Sequence, residues 1–428
     1  MSNAPSIPMS ATLAADEALA RRRRAGEQVL PMASGEIGLP VLPALRRRLA
    51  AAADENAYGP VPGSHALRAS AAGYWGRRGL DSDPGLVVAG PGSKPLLFAL
   101  LLAIGGDVIV PVPSWVSYVA QARLVGARPI PVAIAPGQGG VPDPERLRAA
   151  VAAARAAGQE PRCVVVTLPD NPTGTVASPD TVRRLAAAAR ELDLVIVSDE
   201  IYCDLVYDTS EPAESPALHA PERTVVTTGL TKNLAVGGWR TGVARLPDSH
   251  MGRSLHSRLV SVASQIWSTP PAPVQAAATY AFGEPPEITE HVAASRRLHE
   301  IVVRAVADHI TGAGASLAPV RATCYLYPDF GPLRDHLARA HDVNSGEDLA
   351  GFLSERHGIG VLPASAFGES GNPLRIRAAT SRLYGEDDEQ RTAALGAPDP
   401  LELPWIRKNL EQIGTALADL TGARAPQS

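Results

Sequence analysis

Between about residues 51 and 246 the chain alternates between two hydrophobic rhythms. Short runs that are apolar at nearly every position (GLVVAG, DVIVPVP, RPIPVAI, CVVVTLP, LVIVSDE, TVVTTGL) are separated by longer stretches with helical spacing, such as KPLLFALLLAI, PERLRAAVAAARAAG and SPDTVRRLAAAARELD. A strand that is apolar on both sides must be covered on both faces, and the regular interleaving with helices predicts a mostly parallel sheet with helices on either side. Beyond about His256 the rhythm changes. A long helical segment, LHEIVVRAVADHI, leads to a second patch containing YLYPDF, IGVLP and PLRIRAAT, which predicts a smaller α+β domain. The expected organisation is α/β with three segments: residues 1–50 as an N-terminal arm and part of the small domain, 51–300 as the large domain, and 301–428 as the C-terminal small domain.

Composition narrows the function classes. With 428 residues, 45% hydrophobic and 20% charged, the chain can bury large cores. A net charge of −4 gives no general affinity for nucleic acid or an anionic membrane, and the run Arg21–Arg24 reads as a solvated helix face. The longest apolar run, Pro95–Gly106, is too short to cross a bilayer. No continuous apolar segment precedes a cleavage site near the N-terminus, so no signal peptide is expected. Cys163, Cys203 and Cys324 are widely spaced without a CxxC, which fits a reducing cytoplasm.

In open parallel sheets, ligands bind beyond the carboxyl ends of the strands. The residues expected there are polar and aromatic: Gly92, Ser93 and Lys94 after GLVVAG; Trp115 after DVIVPVP; Asn171 in DNPTG; Asp199 and Tyr202 in SDEIY; Lys232 after TVVTTGL, with Arg240 eight residues on. A lysine at a strand end can form an imine with an aldehyde cofactor, and in amino-acid chemistry that aldehyde is pyridoxal 5'-phosphate. Such a cofactor needs an acid beside its ring nitrogen, donors for its ring oxygen, backbone N–H groups and a cation for its phosphate, and an aromatic partner. Asp199 supplies the acid, Tyr202 and Asn171 the donors, Gly92–Lys94 and Arg240 the phosphate cup, and Trp115 the stacking ring. The glycine pair between Lys232 and Arg240 is expected to turn the backbone so that both face one ligand. The substrate carboxylate calls for an arginine, with Arg375 as the candidate and Arg377 as its competitor.

The runs AYGPVPGSHALR, GPGSKPLLFALLLAI, GDVIVPVPSWVSY, DNPTG, SDEIY, TKNLAVGGWRTG and LRIRAAT resemble those of the fold-type I pyridoxal-phosphate aminotransferases of class I/II, in the branch with aspartate and aspartate/prephenate aminotransferases. The resemblance extends from about Ser10 to Thr380. It implies that Lys232 carries the cofactor and shuttles the proton, and that Thr231 belongs to the cofactor site. It also implies that Gly35 touches the substrate carboxylate with its backbone, and that Lys94 contacts either phosphate or a distal substrate carboxylate. Tyr58 would reach the partner subunit's phosphate, implying a homodimer with shared sites. Trp267, in SQIWSTPP, is a candidate to enter the pocket from a partner chain, which would favour a larger or aromatic substrate. The family's SxSK reads GLTK here, PxGAFY reads RATCYLY, and PGxxF reads PASAF.

The expected activity is transfer of an amino group between an L-amino acid, acidic or aromatic, and a 2-oxo acid. The alternative on the same residues is a lyase, cyclase, or oxidase/hydroxylase of specialised metabolism. A transcription regulator would need a DNA-binding domain ahead of Tyr58, where only about fifty residues stand. A metal hydrolase would need clustered ligands, and the ten histidines are scattered.

Overall fold

A computed structural model describes residues 7–422. In chain order the strands are β1 (Leu30–Pro31), β2 (Val87–Gly90), β3 (Asp107–Val112), β4 (Pro129–Ala133), β5 (Pro161–Thr167), β6 (Val195–Asp199), β7 (Thr224–Gly229), β8 (Gly242–Arg245), β9 (Tyr325–Leu326), β10 (Ile359–Gly360), β11 (Leu362–Pro363) and β12 (Ile376–Ala379). Seven of them form one sheet in the order β2-β8-β7-β6-β5-β3-β4. All its neighbours run parallel except where β8 pairs antiparallel with both β2 and β7. The run TGVARL that forms β8 signals a strand but not its direction.

Strand alternation divides the core of this sheet. Val165, Val197 and Val225 face helices Ser93–Ile104 and His250–Ile266 through Leu96, Leu100, Leu255 and Leu259. Val164, Val166 and Ile196 face helices Pro144–Ala156 and Pro179–Glu191 through Leu147, Val151, Val182 and Leu185. These last two helices begin where the sequence signals it, with a capping side chain followed by proline. Asp143 accepts from the Glu145 and Arg146 N–H groups, and Ser178 accepts from that of Thr181.

The smaller unit is built on the antiparallel sheet β11-β12-β9, while β1 pairs parallel with β10. Residues early in the chain thus join the same unit as residues near its end. The 27-residue helix Pro286–Gly312 runs from the large sheet's helical layer into this core, where Leu298, Val302 and Val306 meet Leu326, Phe330, Ile376 and Leu417. No helix among the described residues is long and apolar enough to cross a membrane.

Candidate active site

The carboxyl ends of β2, β3, β5, β6 and β7 open on a cavity of about 500 Å³. Its walls include Ser93, Lys94, Trp115, Asn171, Asp199, Tyr202, Thr231, Lys232 and Arg240, so most of the residues singled out by strand-end position meet in one place. Gly35 lines it too, from the loop after β1.

Lys232 follows β7, and its Nζ donates to the Gly35 carbonyl at 2.6 Å. Burial brings this amine down from its ordinary 10.5 to about 8, since the charged form loses its hydration. Asp199 ends β6 and is 3% exposed. Burial raises its carboxyl to about 6, opposed by hydrogen bonds from the Tyr118 hydroxyl at 2.8 Å and the Thr227 hydroxyl at 3.2 Å. Tyr118 also shares a 2.7 Å hydrogen bond with Thr167. The sequence does not single out Tyr118, although it stands only three residues after Trp115. Nothing in the run SWVSY distinguishes a tyrosine that reaches β6 from one that fills the core.

Features suited to a phosphate line the same cavity. Helix Ser93–Ile104 begins without a side-chain cap, leaving its first N–H groups to face the cavity. Gly92 has φ +100°, and a Cβ there would collide with the Arg240 guanidinium. Gly242 is equally constrained, since a Cβ would lie 2.5 Å from the Ser93 nitrogen. Arg240 has φ 55° and donates to the Gly237 carbonyl at 2.8 Å. The glycine pair Gly237–Gly238 is not what turns the chain back toward Lys232. Positive φ falls on Ala235 and Arg240, and neither glycine requires it.

The two candidate arginines separate cleanly. Arg377 is 1% exposed, donates to Asn171 Oδ1 at 3.0 Å and to the Ala33 carbonyl, and leaves its buried Nε without a partner in the cavity wall. Arg375 lies outside the cavity. It is ion-paired with Asp329 at 2.9 Å and Glu369 at 3.0 Å, in a second cleft shared with Tyr327. The geometry therefore puts Arg375, the expected carboxylate ligand, outside the cavity and its competitor Arg377 in the cavity wall. The two are a strand repeat apart, so alternation alone does not separate them; Arg377, within β12 and paired with Leu362, reaches the site, while Arg375, just before β12 and bridged to Asp329, does not. Tyr58 is 82% exposed and Trp267 packs against the large-sheet core, so neither lines this chain's own cavity.

These donors fit pyridoxal 5'-phosphate. A carboxylate waits at the buried strand end, the uncapped helix start has free N–H groups beside Arg240, and an amine of lowered basicity lies between them. Only the neutral amine attacks an aldehyde, so its rate of cofactor capture should climb about tenfold per pH unit and level off near 8. Stopped-flow absorbance on cofactor-free protein measures this. A rise that continues beyond pH 10 would mean that burial does not tune Lys232.

Comparison with known proteins agrees with the geometry. Residues 27–383 match the family model for aminotransferase class I and II. The aspartate/prephenate aminotransferase of Thermus thermophilus is 32% identical over 380 residues, covering 87% of this chain and 92% of the relative. A probable aspartate/prephenate aminotransferase of Thermus aquaticus is 30% identical over 381 residues, covering 88% and 93%. Among solved structures, the aspartate aminotransferase from Thermus thermophilus with maleate superposes with a TM-score of 0.79 at 28% identity, over 91% of this chain and 96% of that one. These relatives are all aminotransferases, and none speaks for the lyase, cyclase or oxidase alternative. The chain belongs to the class I and II aminotransferases, pyridoxal-phosphate-dependent transaminases that move an amino group between an amino acid and a 2-oxo acid.

Proposed function

We propose that the amino donor is an acidic L-amino acid, bound by its two carboxylates at opposite ends of the cavity. The observation that carries this reading is the pair of cations at one end. Lys94 and Arg240 both line the cavity; Lys94 lies over the Trp115 ring and Arg240 donates to the Gly237 carbonyl, and neither forms an ion pair with a carboxylate among the described residues. Burial and the neighbouring Arg240 lower the basicity of Lys94, which an incoming anion would reverse. Arg240 and the helix start suffice for the cofactor phosphate, leaving Lys94 for a distal carboxylate. The names of the Thermus relatives, which include aspartate, support the same choice.

The α-carboxylate would sit on Arg377, whose free Nε and rigid fork suit a bidentate contact. Asn171 and Tyr202 would hold the cofactor's ring oxygen. When bound, the cofactor supplies the electron sink that makes the substrate's Cα–H bond acidic. Lys232 Nζ, neutral above about pH 8, would carry that proton, and Asp199 would hold a proton on the ring nitrogen. Trp115 would cover one face of the ring. Its own ring already lies 5.0 Å from the Lys94 ammonium.

The same reading includes a homodimer, in which Tyr58 and Trp267 act on the neighbouring chain's site. It is supported by the exposure of Tyr58. A cytoplasmic setting is supported by the three unpaired cysteines.

A panel of donors, scored by conversion of bound cofactor to its amine form, tests the assignment. Aspartate or glutamate should react fastest. Lys94→Ala should lower kcat/KM for them roughly ten- to a hundredfold while sparing alanine. An equal loss for every donor would place Lys94 on the phosphate instead. Arg377→Ala should raise KM for all donors, whereas Arg375→Ala should leave KM near wild type. The reverse result would return the carboxylate to Arg375.

A further inference from the structure

Tyr325 meets Tyr202 across the boundary between the two domains. Their hydroxyls are 2.8 Å apart and their rings cross edge-to-face at 5.6 Å. Tyr202 follows β6 of the large sheet, while Tyr325 belongs to β9 and pairs with Ala379 of β12, the strand that carries Arg377. The Arg377 guanidinium lies 4.9 Å from the centre of the Tyr325 ring. Gly35 makes room for this phenol, because a Cβ at that position would fall on the Tyr325 hydroxyl.

Counting donors and acceptors assigns the direction of the bond. Asn171 Oδ1 accepts from Arg377 at 3.0 Å, so its Nδ2 is turned to donate toward the Tyr202 oxygen at 3.4 Å. Tyr202 has one proton and two lone pairs. If that proton goes to the cofactor's ring oxygen, the only proton left for the Tyr202–Tyr325 contact is that of Tyr325. Both phenols are buried, and burial disfavours the phenolate of each, so both keep their protons.

We infer that Tyr325 is a positioning residue for transamination: its hydroxyl donates to Tyr202 and thereby aims and strengthens Tyr202 as a donor to the cofactor's ring oxygen. A donor that itself accepts a hydrogen bond is polarised and donates more strongly. Because Arg377 stacks on Tyr325 and also fixes Asn171, the group expected to hold the substrate carboxylate contacts both neighbours of Tyr202. The inference rests on Tyr202 and Asn171 holding the ring oxygen, as proposed above.

The readout is the pH midpoint of the absorbance change of the cofactor–lysine linkage in holoenzyme. Donors to the ring oxygen withdraw its negative charge from the nearby nitrogen and lower that midpoint. Tyr202→Phe tests the underlying placement and should raise the midpoint. Tyr325→Phe should raise it by about half a pH unit, a roughly threefold change in the protonation equilibrium. Adding Tyr325→Phe to Tyr202→Phe should produce no further shift, since its route is gone. If Tyr202→Phe has no effect, the placement of the ring oxygen is wrong. If Tyr202→Phe shifts the midpoint but Tyr325→Phe does not, or if Tyr325→Phe shifts it equally in both backgrounds, the role assigned to Tyr325 is overturned. Cofactor content and thermal midpoint of each variant confirm that folded holoenzyme is compared.

Discussion

The site is organised around a carboxylate placed where a carboxylate is costly. Asp199 stands at the end of β6, a strand flanked on both sides within the large sheet, and its neighbours Asp170 and Glu200 are buried as well. Burial raises all three, to about 6 for Asp199 and about 7 for the other two. The folded chain therefore binds more protons than the unfolded one between about pH 4 and 7, and this group of acids weakens the fold as pH rises through that range. Glu200 accepts from the Ser198 and Ser215 hydroxyls, and Asp170 accepts from Thr173 through Oδ2 while its Oδ1 stays unpartnered. Asp199 accepts from the Tyr118 and Thr227 hydroxyls and from the Ile201 N–H, feels the charge of Lys232, and faces the cavity. A protonated ring nitrogen would give that carboxylate a cationic partner of its own, coupling cofactor binding to relief of a buried charge.

The smaller domain completes the site through one antiparallel pairing. With β9 set against β12, Tyr325 and Arg377 reach the catalytic cavity, while Tyr327, just after β9, and Arg375, just before β12, line the neighbouring cleft. Arg375 is neutralised there by Asp329 and Glu369, whereas Arg377 keeps a free Nε. Charge pairing thus separates a structural arginine from one available to an anion.

Much of the large domain is legible in the sequence because its strands are continuous apolar runs and two of its helices start at Ser or Asp followed by Pro. The strand-end rule then collects Lys94, Asn171, Asp199, Lys232 and Arg240 without any contact information. What escapes depends on register and direction. A two-residue step along an extended run leaves side-chain alternation unchanged, so periodicity does not tell Arg375 from Arg377. Tyr118 and Tyr325 are aromatic residues in apolar surroundings, and only the hydroxyl contacts with Asp199 and Tyr202 give them a role. Two adjacent glycines suggest a turn before Arg240, but the left-handed positions are Ala235 and Arg240, held by their surroundings.

The central claim is that Asp199 keeps the cofactor's ring nitrogen protonated. Holoenzyme reconstituted with cofactor labelled with ¹⁵N in the ring allows this to be observed by nuclear magnetic resonance. The account predicts a protonated-nitrogen shift that persists through pH 8 in the wild-type protein and is replaced by a neutral-nitrogen shift in Asp199→Asn. A neutral nitrogen in the wild-type protein at pH 7, or a protonated one in both proteins, would contradict it.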